Sequence, residues 1–412
     1  AVLNAGEAGR GFMNVAAAAA GRLTGGAAKV SVLSSAFFGS ISGSASANVA
    51  STGAITLPAM RRLGYPKSLA GAVEAVASSG GQIMPPLMGA GAFVMVELTG
   101  VPYEGIMAAA ILPAILYFAA VWIGVDAFAT RYTLKGLPVE DRPAAKDVIA
   151  TVAFFAVPFT ILLLGMFAGG YTPQYAACLA ILAAALLLAF DGKGWVGVQR
   201  LAERVTDACL TAGQQIAMIA SIILCASIII GVLGITGLGV KITSLIVSGA
   251  GGALWPALAL TALACLVLGM EVPTTAAYVI CVSVAGPALI DLGVAPLQAH
   301  LFIFWFALLS TITPPVCGAV FIAAGMVNEN WLKVAVAAMA LGVGLYLIPL
   351  AMIAHPDLIG LAATPVLAIW AAAQVLAGLA AISYGVISKA PVPARIGLIV
   401  GGAIVLFRPV LF

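Results

Sequence analysis

Apolar residues run along this chain in stretches of about twenty, separated by short polar breaks. A helix needs about 20 apolar residues to cross a bilayer. Reading at that length predicts spans at 66–97, 103–127, 147–168, 174–190, 212–235, 296–326, 332–354, 363–388 and 394–411. These runs outlast the alternating segments of about 10 residues that mark a transmembrane barrel. Helices otherwise satisfy every backbone group in lipid, so the predicted class is an all-α integral membrane protein.

Two apolar stretches do not read as simple spans. Residues 27–61 are broken at Gly39-Ser40-Ile41-Ser42-Gly43-Ser44, and residues 240–291 at Gly269-Met270-Glu271-Val272-Pro273-Thr274-Thr275. Each reads as a hairpin of two short helices meeting at a small, polar tip. Segments 128–146 and 191–211 carry charge among apolar residues, and the second has the mix of an interfacial amphipathic helix.

Composition sharpens this. Of 412 residues, 63% are apolar and 8% charged, against about 25% charged in soluble domains. The mean hydropathy is +1.16. A soluble enzyme and a disordered chain are excluded, and a net charge of +3 leaves no basic stripe for nucleic acid. The six cysteines form no C-x-x-C pair and read as buried small hydrophobes. Two histidines make no zinc pattern, and no phosphate-binding loop is present. The chain starts at Ala1 without Met or a signal-peptide pattern, the start expected of a fragment.

Charge also orients the chain. If both hairpins re-enter without crossing, all of the 18 Lys and Arg except Lys241 and Arg408 fall on one side, the cytoplasm. A crossing hairpin would destroy that sorting. The first hairpin then opens to the cytoplasm and the second to the outside.

An internal repeat supports the same plan. Pro58-Ala59-Met60-Arg61-Arg62-Leu63-Gly64 returns 229 residues later as Pro287-Ala288-Leu289-Ile290-Asp291-Leu292-Gly293. Pro85-Pro86-Leu87-Met88-Gly89-Ala90 returns at the same offset as Pro314-Pro315-Val316-Cys317-Gly318-Ala319. This register sets Ser44 opposite Pro273 and Ser46 opposite Thr275. Five predicted crossings separate the copies, an odd number that inverts one relative to the other. Inverted repeats with broken helices mark secondary transporters, with the binding site where the repeats meet.

The repeat points to chemistry. Proline breaks the helix ladder, and Ser78-Ser79-Gly80-Gly81-Gln82 and Ser310-Thr311-Ile312-Thr313 each precede a Pro-Pro pair. Freed carbonyls and hydroxyls there suit a hard cation such as Na⁺; the bland alternative is a capped proline kink. Helix N-termini starting at the two tips would seat a carboxylate, or the small residues simply pack helices closely. Glu74 lies in an apolar run, where it would carry a coupling proton, anchor a cation, or act as a hydrogen-bonded structural carboxylate. Glu271 sits at a tip, and His300, Glu97 and Asp126 read as interfacial.

Residues 29–49, 71–86 and 273–278 closely resemble the hairpin and broken-helix motifs of tripartite ATP-independent periplasmic (TRAP) transporter permeases. They are most similar to the branch with fused small and large membrane subunits, over about residues 1–350. The resemblance implies an elevator-type, Na⁺-driven symporter of the bacterial inner membrane, with no other cofactor. A TAXI-type periplasmic binding protein would feed it a small organic acid. It implies a transport domain of residues 27–97 and 236–326 around scaffold helices in 98–235, with 1–26 ending a scaffold arm and 327–412 forming C-terminal spans. It places cation ligands at Ser42, Ser44, Asn48, Ser78, Ser79 and Gly81, and at Thr274, Thr275, Ser310 and Thr313. The substrate carboxylate would lie between the tips, near Ser44, Ser46, Asn48, Thr274 and Thr275. The family's small-subunit portion would lie upstream of Ala1, so residues 1–412 alone are not expected to transport. A binding-protein-independent carboxylate/cation symporter of similar plan is the alternative.

Overall fold

The computed structural model describes residues 1–412 except Leu87, Lys193, Glu271 and Phe412, and omits the side chains of Ala226, Ile230 and residues 409–411. The sequence readings placed on Lys193 and Glu271 therefore lie outside the described residues. In chain order the helices are α1 (Val2–Ala5), α2 (Ala8–Ala20), α3 (Gly26–Ser42), α4 (Ala45–Arg62), α5 (Lys67–Gly80), α6 (Gly89–Thr99), α7 (Tyr103–Tyr132), α8 (Ala145–Phe167) and α9 (Pro173–Leu187). A two-strand ribbon, β1 (Phe190–Asp191) and β2 (Gly194–Trp195), precedes α10 (Val198–Thr236), α11 (Leu238–Gly249), α12 (Leu254–Leu268), α13 (Thr274–Asp291), α14 (Pro296–Leu309) and α15 (Gly318–Val327). The chain closes with α16 (Trp331–Leu341), α17 (Val343–Ala354), α18 (Pro365–Ile387) and α19 (Val392–Leu411).

Among the described residues, five helices are long and apolar enough to cross a membrane, or six if the pair α16–α17, bent by 41°, counts as one. That bend falls at Gly342, a residue type that commonly marks a kink. Three sequence expectations change. The span 174–190 is the 15-residue α9, about 22 Å long. The amphipathic segment and the span 212–235 join in one 39-residue helix, α10, because no proline interrupts residues 198–236. The stretch 240–291 holds three helices, since Gly251 and Gly252 take positive φ between α11 and α12.

The chain forms two compact units. The first comprises Ala1–Val30 and Gly136–Ile222. Its α2 lies on α8, with the rings of Phe12 and Phe155 4.5 Å apart and Asn14 Nδ2 donating to Thr151 Oγ1 at 3.0 Å. Gly11 permits the approach: a methyl there would stand 2.6 Å from the Thr151 carbonyl oxygen. Arg204 of α10, 9% exposed, locks the ribbon by donating to the carbonyls of Leu188 and Phe190 at 2.9 Å each and to Glu7 at 3.0 Å.

The second unit, Ser31–Lys135 and Ile223–Phe412, contains both repeat copies. Helix bounds repeat at the sequence offset of 229: α4 maps onto α13 residue for residue, and α5 onto α14. In each copy helix α5 or α14 stops, the chain unwinds through a cis Pro-Pro bond (Pro85-Pro86, Pro314-Pro315), and a new helix starts at Gly89 or Gly318. The core of this unit is α5 and α14; residues 298–309 of α14 are all buried. Helix α7 braces α5, with Tyr117 OH donating to the Val76 carbonyl and its ring set against Gly80. His300, expected at an interface, is buried in α14 and pairs through Nδ1 with Tyr278 OH at 2.7 Å. Three cysteines are buried, but Cys178, Cys209 and Cys225 are exposed. Helix faces turned to lipid need apolar residues as much as a core does, so apolar context did not imply burial.

Candidate functional site: the junction of the two helix tips

The first tip is built by a helix stop and a helix start two residues apart. Gly43 turns the chain with φ +60°, a conformation free of steric cost only for glycine. Ser44 then caps α4, its hydroxyl accepting from Ala47 N at 3.3 Å. Ser42 Oγ donates to the Ser44 carbonyl at 3.4 Å. Ser46 is exposed on the first turn of α4, while Asn48 is fully buried. The second tip lies between α12 and α13, where Pro273 starts α13 and Thr274 and Thr275 are half-buried.

Gln82 connects the tips. It sits in the unwound turn after α5, 5% exposed. Its Nε2 donates to the Gly43 carbonyl at 3.2 Å, and Thr274 Oγ1 donates to its Oε1 at 2.9 Å. A second link between the copies pairs Ser79 Oγ with Thr311 Oγ1 at 3.0 Å. Positions 82 and 311 are repeat equivalents, so each copy uses the same position to reach the other. Neither was singled out from sequence; the offset of 229, applied to the unwound turns themselves, would have paired them.

Helix N-termini gather at the first tip. α4 starts there. A methyl on Gly43 would stand 2.6 Å from Gly89 Cα, at the start of α6, and one on Gly318, at the start of α15, would stand 3.8 Å from Ser46 Oγ. The start of α13 is tied in through Thr274 and Gln82. Four positive helix ends thus meet beside Ser42, Ser44, Ser46 and Gln82. Residues 42–49, 78–92, 272–279 and 310–321 include no Lys or Arg. Such a place offers N–H and O–H donors of the kind that suit an anionic group.

The other residues singled out from sequence lie around this junction with partners of their own. Gly81 stands back to back with Gly39. Ser310 Oγ donates toward the Gly269 carbonyl at 2.8 Å. Thr313 Oγ1 pairs with Tyr346 OH at 2.8 Å. Asn48 clamps three helices: its Nδ2 donates to the carbonyls of Ser35 at 3.0 Å and Ser78 at 3.3 Å. Glu74 is fully buried among hydroxyls. Ser31 donates to Oε2 at 2.8 Å, Ser78 to Oε1 at 3.3 Å, and Thr52 and Thr56 to one oxygen each. Thr52 also reaches Asn48 Oδ1 at 3.4 Å, so the carboxyl and the first tip share one network. Ser31, Thr52 and Thr56 escaped notice in sequence because a hydroxyl inside an apolar helix ordinarily bonds its own backbone.

Known proteins resemble this chain over most of its length. Residues 1–381 match the family described as "Tripartite ATP-independent periplasmic transporter, DctM component". The "C4-dicarboxylate TRAP transporter large permease protein DctM" of Pseudomonas aeruginosa is 25% identical over 319 residues, 77% of this chain and 72% of that protein. The "Isethionate TRAP transporter permease protein DctMQ" of Oleidesulfovibrio alaskensis is 27% identical over 352 residues, 84% of this chain and 54% of that protein. An uncharacterised protein of Sinorhizobium fredii, y4mL, is 29% identical over 214 residues, 50% of this chain and 49% of its own length. The chain thus spans about half the length of two of these relatives and 72% of the third. On the match to 381 of its residues, the chain belongs to the DctM component family of tripartite ATP-independent periplasmic transporters, whose members are multi-pass inner-membrane permeases and not enzymes.

Proposed function

We propose that this protein takes up a small organic acid across the inner membrane by secondary active transport, coupled to a Na⁺ gradient and fed by a periplasmic binding protein of the TAXI type. The observation that carries the reading is the junction of the tips. Four helix N-termini and a set of hydroxyls meet there without a Lys or Arg, which suits a carboxylate that must be released again as well as bound. In this reading α3–α4 and α12–α13 are re-entrant hairpins of a transport domain that moves by an elevator motion. The substrate carboxylate sits near Ser44, Ser46, Asn48, Thr274 and Thr275. Na⁺ takes oxygen ligands from Ser42, Ser44, Asn48, Ser78, Ser79 and Gly81 in one copy, and from Thr274, Thr275, Ser310 and Thr313 in the other. The relatives' names, a C4-dicarboxylate and an isethionate permease, support an organic anion as cargo.

The test is uptake of labelled C4-dicarboxylate into proteoliposomes holding the full-length protein, with its binding protein outside and an inward Na⁺ gradient against a matched K⁺ control. Uptake that needs both Na⁺ and the binding protein is expected. Uptake indifferent to Na⁺ refutes the coupling ion, and uptake without a binding protein refutes the tripartite arrangement.

A further inference from the structure

The geometry points to Gln82 as a specificity-determining residue that selects carboxylates bearing a hydrogen-bond donor on the neighbouring carbon, a 2-hydroxy or 2-amino acid. This rests on the reading of the junction as the substrate seat. The orientation of the amide is fixed by its surroundings. The Gly43 carbonyl only accepts, so the group facing it is Nε2, and Oε1 takes the Thr274 hydroxyl. An amide has two N–H donors and an oxygen with two lone pairs. Gln82 uses one of each, and among the described residues its remaining N–H and lone pair have no partner, although the side chain is only 5% exposed. Buried polar groups are normally satisfied, and this one lies where four helix N-termini converge.

The two unused functions define what fits. One donates and the other accepts, and both belong to one planar amide. A plain carboxylate offers two acceptors, so its second oxygen would face the lone pair of Oε1. A 2-oxo acid adds another acceptor and meets the same repulsion. A hydroxyl or ammonium on the adjacent carbon reverses this: it donates to Oε1 while the carboxylate accepts from Nε2. The repeat equivalent, Thr311, cannot read such a pair, because its one hydroxyl is already engaged with Ser79. The selectivity therefore comes from one copy only. A site built to hydrogen-bond a substrate hydroxyl discriminates against the analogue lacking it.

The experiment uses the purified full-length protein and measures thermal stabilisation by succinate, malate and aspartate, and by propionate, lactate and alanine. Malate or aspartate is expected to bind at least about tenfold tighter than succinate, or lactate or alanine than propionate; tenfold is 1.4 kcal/mol. Whether malate or aspartate leads separates the hydroxyl from the ammonium. Gln82→Met keeps the length of the side chain and removes both amide functions, so the ratio is expected to collapse toward one. A wild-type ratio near one, or binding of none of the six acids, overturns the proposal without any variant. So does a Gln82→Met protein that keeps the wild-type ratio. Selective binding set by Gln82 but without Na⁺-driven uptake would leave the selectivity standing and overturn the transport reading instead.

Discussion

Gly81 and Gly39 hold the turn after α5 against α3 by backbone contact. A Cβ placed on Gly81 would stand 2.4 Å from Gly39 Cα and 3.0 Å from both Asn48 Nδ2 and the Ser35 carbonyl oxygen. Ordinary contact begins at 3.4 Å, so Gly81→Ala requires the two backbones to part by about 1 Å. No rotamer can relieve this, because both sides are main chain. Overpacking of this kind costs about 1–3 kcal/mol. Here it also displaces the Asn48 amide from the carbonyls of Ser35 and Ser78, at about 0.5–1.5 kcal/mol for each hydrogen bond. The assay is thermal unfolding of the purified protein in detergent, comparing Gly81→Ala, Gly39→Ala and the double variant. Both single variants are expected to lower the midpoint. The double variant is expected to lose less than their sum, because backbones already parted for one methyl have made room for the other. A Gly81→Ala protein with a wild-type midpoint would refute the reasoning. Full additivity would show that the two glycines do not share one gap.

Three further outcomes follow from single contacts. Arg204→Ala removes the side chain that ties Glu7 to the carbonyls of Leu188 and Phe190, and losing a hydrogen bond from a charged donor costs about 1.5–3 kcal/mol; limited proteolysis should cut the 188–204 region far faster, and an unchanged rate would contradict the assignment. Thr52→Val withdraws a donor from Glu74 and a contact from Asn48, and should destabilise by about 1–3 kcal/mol; the midpoint should recover when Glu74→Gln is added, and no recovery would argue against the network. Glu329, in the turn between α15 and α16, is held below the usual carboxylate range, first by the Asn330 backbone N–H and then by Lys333 and Lys67. A carboxylate of lowered pKa stabilises the fold above its unfolded value and loses that effect as pH falls through the folded one, so the deficit of Glu329→Gln should be present at pH 7 and vanish in acid.

Much of this fold was legible because the repeat carries it. Pro58 and Pro287, and the two Pro-Pro pairs, set a register that the bounds of α4, α13, α5 and α14 follow. Helix breaks were readable at the proline clusters, whereas the break at Gly251 and Gly252 was not, because apolar residues flank it on both sides. The length of α10 was not, because its charged first half and apolar second half look like two elements although nothing in the chain separates them. The polar surroundings of Glu74 were hidden for a different reason: Ser31 lies 43 residues away in sequence and Thr52 22, and only packing brings them together. The second copy makes the contrast plain. It carries Ile303, Cys281, Ala285 and Leu260 where the first has Glu74, Thr52, Thr56 and Ser31. The same helix pair therefore packs without the hydroxyl-ringed carboxyl, and the cluster is not a requirement of the architecture. Gln82 does not stand out in the sequence, since an amide beside two glycines reads as turn chemistry until its partners at both tips are seen.

The claim on which the account turns is that substrate sits at the junction of the tips. Ser46 is exposed there and lies near Gly318 of the other copy. The most direct measurement is the rate at which a maleimide labels Ser46→Cys in the full-length protein. It would be read on that peptide by mass spectrometry, because Cys178, Cys209 and Cys225 are also exposed. With Na⁺ present, the organic acid that stabilises the protein best should slow labelling at position 46 and leave Cys178 unchanged. Equal slowing at both positions, or none at position 46 at saturating substrate, would contradict the account.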